Sequence, residues 1–181
     1  MFYQFTTLES HIHDLLISLS IQTPNQLAIE NIAEQLNIRV YDWEHSSEAV
    51  IYKGINRIFL QKQLDREERW ETFGHELGHI LLHCGSQLNL PTRFVKYQEW
   101  KADNFALHFC VPTFMLLQMN LPFKKSQAIT EVAFTFGVTS EFASQRLQHL
   151  EKQWLGLLAD QSFSQRAYRS NQVGEKFENY E

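Results

Sequence analysis

The chain has 181 residues and a mass of 21.4 kDa, enough for one sizeable domain or one domain with a small appendage. At 44% hydrophobic and 13% aromatic it can bury a real core, which excludes wholesale disorder, and a formal charge of −5 is a poor basis for non-specific binding to nucleic acid or anionic membranes. Two cysteines cannot build a disulfide framework, the first five residues lack the basic flank and apolar stretch of a signal peptide, and no apolar run approaches the roughly 18 residues of a membrane span, so the expectation is a protein of the reducing cytoplasm with no membrane partner.

Leu8, Ile12, Leu15, Leu16 and Leu19 recur at helical spacing and predict a helix from about Thr7 to Ser20, broken by Thr23-Pro24-Asn25. Leu27, Ile29, Ile32, Ala33 and Leu36 predict a second one over residues 25–36. The period then shortens. Ile38-Arg39-Val40-Tyr41-Asp42-Trp43 alternates as a half-buried strand does, and residues 49–52 and 57–60 read as two more strands, joined by a tight turn at Lys53-Gly54-Ile55-Asn56. Asp65 and Glu68 form a capping box for a helix whose apolar stripe is Trp70, Phe73, Leu77, Ile80 and Leu81, with Gly85 placed for a left-handed stop. Helices over 98–110, ending before Pro112, over 126–136, closed by Gly137, and from Thr139 to about Leu155 complete the count. The polar, aperiodic residues 162–181 read as a mobile tail. The expectation is an α+β fold, a mostly helical domain with a small, mostly antiparallel three-stranded sheet. That domain covers residues 1–161: an N-terminal helix in 1–24, a core in 25–112 and C-terminal helices in 113–161.

The chemistry concentrates in His75-Glu76-Leu77-Gly78-His79. Residues four apart on a helix lie about 40° from each other and one turn along the axis, so both imidazoles can reach one point. Two neutral imidazoles supply half of a tetrahedral zinc shell, and Glu76 lies where it can take a proton from an activated water. His75 and His79 point away from the apolar stripe. Gly74 and Gly78 border them and cost roughly 1 kcal/mol each against Ala, which predicts the close approach of something, such as a partner helix. A catalytic zinc needs a third protein ligand. Glu99 stands twenty positions on, and Asp103 shares its helix face four residues later. The natural division makes Glu99 that ligand and Asp103 the acceptor of a ligating imidazole's other N–H.

His75-Glu76-Leu77-Gly78-His79-Ile80-Leu81-Leu82-His83, then Glu99-Trp100-Lys101-Ala102-Asp103-Asn104-Phe105-Ala106 and Pro112, resembles the ImmA/IrrE family of metallopeptidase-like domains, and more widely the thermolysin-type zinc proteases with their zincin-like core. The resemblance runs from about Asn25 to Leu150. It implies a zinc-dependent endopeptidase that cuts helix-turn-helix repressors of phages and mobile elements or regulators of stress responses, with His75, His79 and Glu99 as ligands of one Zn2+ and Glu76 as general base. Mn2+ and Fe2+ are alternatives for that donor set. Lys101 replaces a Glu frequent in the family, and Phe109-Cys110-Val111 replaces a more usual Leu-Leu-Met; neither change removes a ligand. A substrate strand would pair with a sheet edge, at Ile58–Leu60 or Val50–Tyr52.

Lesser features weigh less. His83, one turn beyond His79, is a candidate to stand beside the ligands or against substrate, but a helix C-terminus favours an imidazolium anyway, and that plain role is the expectation. His108 falls about 180° round the helix from Glu99, and Cys84 and Cys110 fall on the wrong sides of their helices. Glu131 to Leu147 has a helix-turn-helix pattern, but Ser140 to Leu150 carries Arg146 as its single Lys or Arg, so the expectation is a helical cap rather than direct DNA binding. The alternative function is a non-proteolytic regulator that binds a repressor, or DNA, through these C-terminal helices.

Overall fold

The computed structural model describes the backbone of residues 3–82 and 91–178, and side chains as far as residue 159. His83, Cys84 and Gly85, with the left-handed stop expected there, lie outside the described residues. The chain forms two compact units: one comprises Gln4–Arg146, and the other joins Tyr3 to the chain from Leu147 onward.

The larger unit opens with α1 (Thr7–Ser18), capped by Thr6, whose hydroxyl accepts from the Glu9 amide while the Glu9 carboxylate accepts from the Thr6 amide. The second predicted helix is split. Pro24–Gln26 is a 3-10 turn, Leu27 is extended, and α2 covers only Ile29–Gln35. Strands β1 (Ile38–Trp43), β2 (Glu48–Tyr52) and β3 (Ile55–Gln61) follow. Lys53 and Gly54 both have positive φ (51° and 72°) between Tyr52 and Ile55, the two-residue hairpin geometry whose twist matches that of the strands it joins.

The order in the sheet is β1-β3-β2, with β3 central. It runs antiparallel to β2 but parallel to β1, from Ile38 against Asn56 to Trp43 against Gln61. The sheet is therefore mixed rather than mostly antiparallel. Residues 44–47 step across the end of β3, where the Ser47 hydroxyl accepts from the Gln61 amide and Lys62 N–H donates to the Trp43 carbonyl, both at 2.9 Å. Because β3 is flanked on both sides, Ile58–Leu60 offers no edge; β2 does. Ile58 and Leu60 are fully buried on the sheet's inner side.

Helix α3 (Arg66–Leu82) starts at the expected capping box: Asp65 Oδ1 accepts from the Glu68 amide at 2.9 Å and Glu68 Oε2 from the Asp65 amide at 3.3 Å. Trp70, Phe73 and Leu77 enter the core, but the stripe stops there, with Ile80 half-buried and Leu81 exposed. Helix α4 (Thr92–Cys110) begins six residues before its predicted start and packs along α3 through Ala102, Phe105, Ala106 and Phe109. Phe105 stacks on Phe109 at 5.4 Å, and Phe109 meets Trp70 at 5.6 Å. Phe73, Phe105 and Phe109 are fully buried, each worth about 1.5–3 kcal/mol of apolar transfer. Then come α5 (Thr113–Leu116), α6 (Lys125–Phe136), closed by Gly137 in the left-handed conformation as its position predicts, and α7 (Ser140–Glu178). The α7 backbone stays helical well past Leu155 and through the polar segment from Ser162. In the smaller unit Tyr3 Oη donates to Gln153 Oε1 at 2.9 Å and its ring stacks on Trp154 at 5.6 Å. Among the described residues no helix is long and apolar enough to cross a membrane.

Candidate metal centre

Helix α3 presents His75 and His79 one turn apart, with their rings 4.7 Å between centroids and their Nε2 atoms 3.0 Å apart. Helix α4 runs close enough alongside to bring Glu99 Oε2 within 3.4 Å of His75 Nε2 and 3.5 Å of His79 Nε2. The two glycines explain that closeness. A Cβ at Gly78 would lie 3.1–3.3 Å from the Phe105 ring and from Ala102 Cα and O, and one at Gly74 would lie 2.5 Å from Cys110 Sγ. Small residues face small residues along this seam, and the seam sets how far the Glu99 side chain must reach.

Asp103, one turn beyond Glu99, has Oδ1 2.8 Å from His75 Nδ1. Nδ1–H donates to the carboxylate, which leaves the Nε2 lone pair turned toward His79 and Glu99. The three donor atoms form a triangle with edges of 3.0, 3.4 and 3.5 Å. Metal–donor bonds of about 2.0–2.1 Å at tetrahedral angles require edges of about 3.3 Å. Two imidazole nitrogens and one carboxylate oxygen thus fit a small divalent cation of borderline softness, with three protein donors, the number a catalytic rather than a structural site uses. No other such group of three occurs among the described residues. The imidazoles are mostly shielded, at 24% and 15% side-chain exposure, while Glu99 is 42% exposed. The centre is thus walled on the protein side and open on the other.

Glu76 lies between the two histidines in sequence but is turned under β2, where it is buried and accepts the Ala49 amide. Burial pushes its carboxyl up to about 7; the charge on His75 and the Ala49 amide oppose that shift, whereas Glu99 and Glu48 add to it. A carboxyl poised there can take and return a proton near neutrality.

The structure thus brings together His75, His79 and Glu99, joins Asp103 to them through His75, and sets Glu76 beside them; His83 falls outside the described residues. His108 is buried on another side of α4, its Nδ1 3.6 Å from Glu9 Oε1, and Cys110 is buried with its thiol directed at the Trp70 carbonyl. Two features carry no signal in the sequence reading. One is the Ala49 amide that holds Glu76, since any residue offers an N–H. The other is the burial of Arg146, the single basic residue of the helix-turn-helix-like segment. It is 0% exposed, its Nε donates to the Val111 carbonyl at 3.0 Å and its Nη2 to Thr113 Oγ1 at 2.6 Å. It is committed to the core rather than presented to a groove.

Residues 29–148 match the family model Peptidase_M78, described as an IrrE N-terminal-like domain. The phage-like element PBSX protein XkdA of Bacillus subtilis (strain 168) is 43% identical over 150 residues, which cover 83% of this chain and 76% of that protein. The uncharacterized protein YqaB of the same organism is 39% identical over 147 residues, covering 81% and 86%. Among solved structures, a Mycobacterium tuberculosis transcriptional regulator superposes with a TM-score of 0.53 at 16% identity, over 75% of this chain but only 44% of that one, a likeness of fold alone.

Proposed function

The chain belongs to the IrrE N-terminal-like peptidase family, and from that membership we propose that it is a metal-dependent endopeptidase acting on a protein regulator, with a helix-turn-helix repressor of a phage or mobile element as the substrate class. The observation that carries this reading is the His75–His79–Glu99 triangle with the buried Glu76 carboxyl alongside it. The mobile-element setting leans on XkdA, named for a phage-like element. A protein rather than DNA as target is supported by the burial of Arg146.

His75, His79 and Glu99 would hold a divalent ion, Zn2+ by preference with Mn2+ or Fe2+ as alternatives, which would supply Lewis acidity toward a water and the scissile carbonyl. Asp103 holds the His75 ring in one tautomer and orientation. Glu76 takes the proton of the attacking water and returns it to the departing amine, a role suited to a buried carboxyl set beside the centre. The substrate backbone is aligned along β2. Outward and inward groups alternate in an antiparallel pair, so with the Ala49 amide turned to Glu76, the N–H and C=O of the exposed Ile51 face outward too. A substrate strand added at that edge runs past Glu76.

The test is incubation of the Zn2+-loaded chain with the repressor encoded beside its gene. The expected result is a discrete cleavage that a chelator stops, that His79→Ala loses together with its metal, and that Glu76→Gln slows by about 100-fold or more while keeping the metal. Undiminished cleavage by Glu76→Gln would remove the base assignment. A stable complex with an intact repressor would replace the peptidase by a binding protein.

A further inference from the structure

The first half of α4 carries a face that the metal centre does not use. Measured from Glu99 at 100° per residue, Lys96, Trp100, Arg93, Tyr97, Lys101 and Phe94 occupy the arc from roughly 60° to 220°, opposite the buried Ala102, Phe105, Ala106 and Phe109. The three aromatic residues are 48–59% exposed. They form a ladder with centroids 6.4 Å (Phe94–Tyr97) and 6.1 Å (Tyr97–Trp100) apart, the latter pair stacked. Lys101 Nζ lies 5.1 Å over the Tyr97 ring. Among the described residues, ion pairs engage Lys62, Arg69 and Arg146 but neither Arg93 nor Lys96. The sequence has no Asp or Glu between Glu76 and Glu99, in a chain whose net charge is −5.

Exposed apolar area is common, but three large rings in register with three cations are not what a solvated helix face needs. Trp, Tyr and Arg are the residue types that dominate binding energy at protein interfaces. We propose that this face of α4 is an exosite that docks an acidic, apolar-rich segment of the protein substrate, away from the bond that is cut. The proposal rests on the peptidase reading for the word substrate. Charge complementarity names the occupant: alternating rings and cations match a segment that alternates apolar side chains with carboxylates. A nucleic acid fits less well, since the chain as a whole repels a polyanion and the stacked Tyr97–Trp100 pair leaves no slot for a base between its rings. The face begins six residues before Glu99 and adjoins it at Trp100, so a segment bound there is tethered next to the centre and its scissile bond is presented at raised effective concentration.

The test uses fluorescence anisotropy with a labelled 16-residue peptide in which Glu alternates with Leu and Phe, the same peptide with Lys in place of Glu, and an oligothymidylate of equal length. The intact chain is expected to bind the acidic peptide, to reject the Lys peptide and to lose affinity as salt is raised. Trp100→Ala and Arg93→Glu/Lys96→Glu should each weaken binding at least about tenfold with an unchanged melting temperature, because all three side chains are exposed. Equal affinity for acidic and basic peptides, tighter binding of the oligothymidylate, or no effect of either variant would overturn the proposal. Self-association that Trp100→Ala abolishes would overturn it as well, in favour of a second copy. Glu76→Gln should bind the peptide as the parent chain does. Absence of chelator-sensitive hydrolysis by the parent chain, with this binding intact, would therefore remove the peptidase reading and leave the docking face standing.

Discussion

Asp103 is 71% exposed, yet its Oδ1 is 2.8 Å from Nδ1 of a histidine that is only 24% exposed. The bond sits at the rim of the centre, where solvent screens the carboxylate's charge but not its geometric effect on the ring. Partners of ligating histidines are typically worth 10–100-fold in metal affinity. Exposure argues for the lower end of that range here. Asp103→Asn should weaken Zn2+ binding about tenfold in competition with a chromogenic chelator, while Glu99→Ala, which removes a donor outright, should weaken it far more. Equal losses from the two would mean that Asp103 is itself a ligand; no loss from Asp103→Asn, whose amide oxygen can still accept from Nδ1–H, would mean that the carboxylate's charge adds nothing to metal affinity. At this scale the sequence is most legible. The spacing of His75 and His79 is intrinsic to any helix, and Asp103 stands to Glu99 as His79 does to His75.

Between elements, the centre depends on the distance from α3 to α4, and Gly78 is its most sensitive point. Alanine is the better helix former by about 1 kcal/mol, so on an exposed helix Gly78→Ala would stabilise. In this seam the new Cβ would stand 3.2 Å from Ala102 Cα and 3.3 Å from its carbonyl oxygen, backbone that yields only if α4 moves as a body. Overpacking of that kind costs typically 1–3 kcal/mol. The expected outcome is a lower midpoint in urea unfolding and, since Glu99 rides on α4, weaker metal binding in the folded variant. A raised midpoint with unchanged metal affinity would show that the seam has slack. The glycines announced a close neighbour without saying which, because helix packing is decided by residues far apart in sequence. The same limit hid the sheet order: alternation marks each strand, but only tertiary contacts decide that β1 pairs with β3 and not with β2. Periodicity also placed the start of α4 too late, because its first turns turn rings and cations, not an apolar stripe, toward solvent.

For the unit Gln4–Arg146 as a whole, a buried polar cluster ties its ends together. Glu9 of α1 is 3% exposed, with Oε2 accepting the Thr6 amide at 2.8 Å and Oε1 accepting the Thr113 hydroxyl at 2.6 Å. Arg146 of α7, 0% exposed, donates to that same hydroxyl oxygen at 2.6 Å and lies 4.0 Å from Glu9 Oε1. Elements more than 100 residues apart thus meet at one hydroxyl, which no local pattern could announce. Burying such a pair is costly, and a well-packed apolar replacement can be neutral or better, whereas removing one partner strands the other's charge and costs about 3–5 kcal/mol. Arg146→Met should therefore lower the unfolding free energy by about that much. Glu9→Gln keeps the side chain's shape and one acceptor oxygen, for the Thr6 amide or the Thr113 hydroxyl but not both, and should cost less than Arg146→Met. In the double variant the lone carboxylate is gone, so its loss should be smaller than the sum of the two single losses. A double-mutant cycle by urea denaturation at neutral pH reads this directly. Strict additivity would mean that Glu9 and Arg146 are stabilised independently through Thr113 and the Val111 carbonyl. A positive coupling would make the pair a single clamp between α1 and the start of α7, both within the unit Gln4–Arg146.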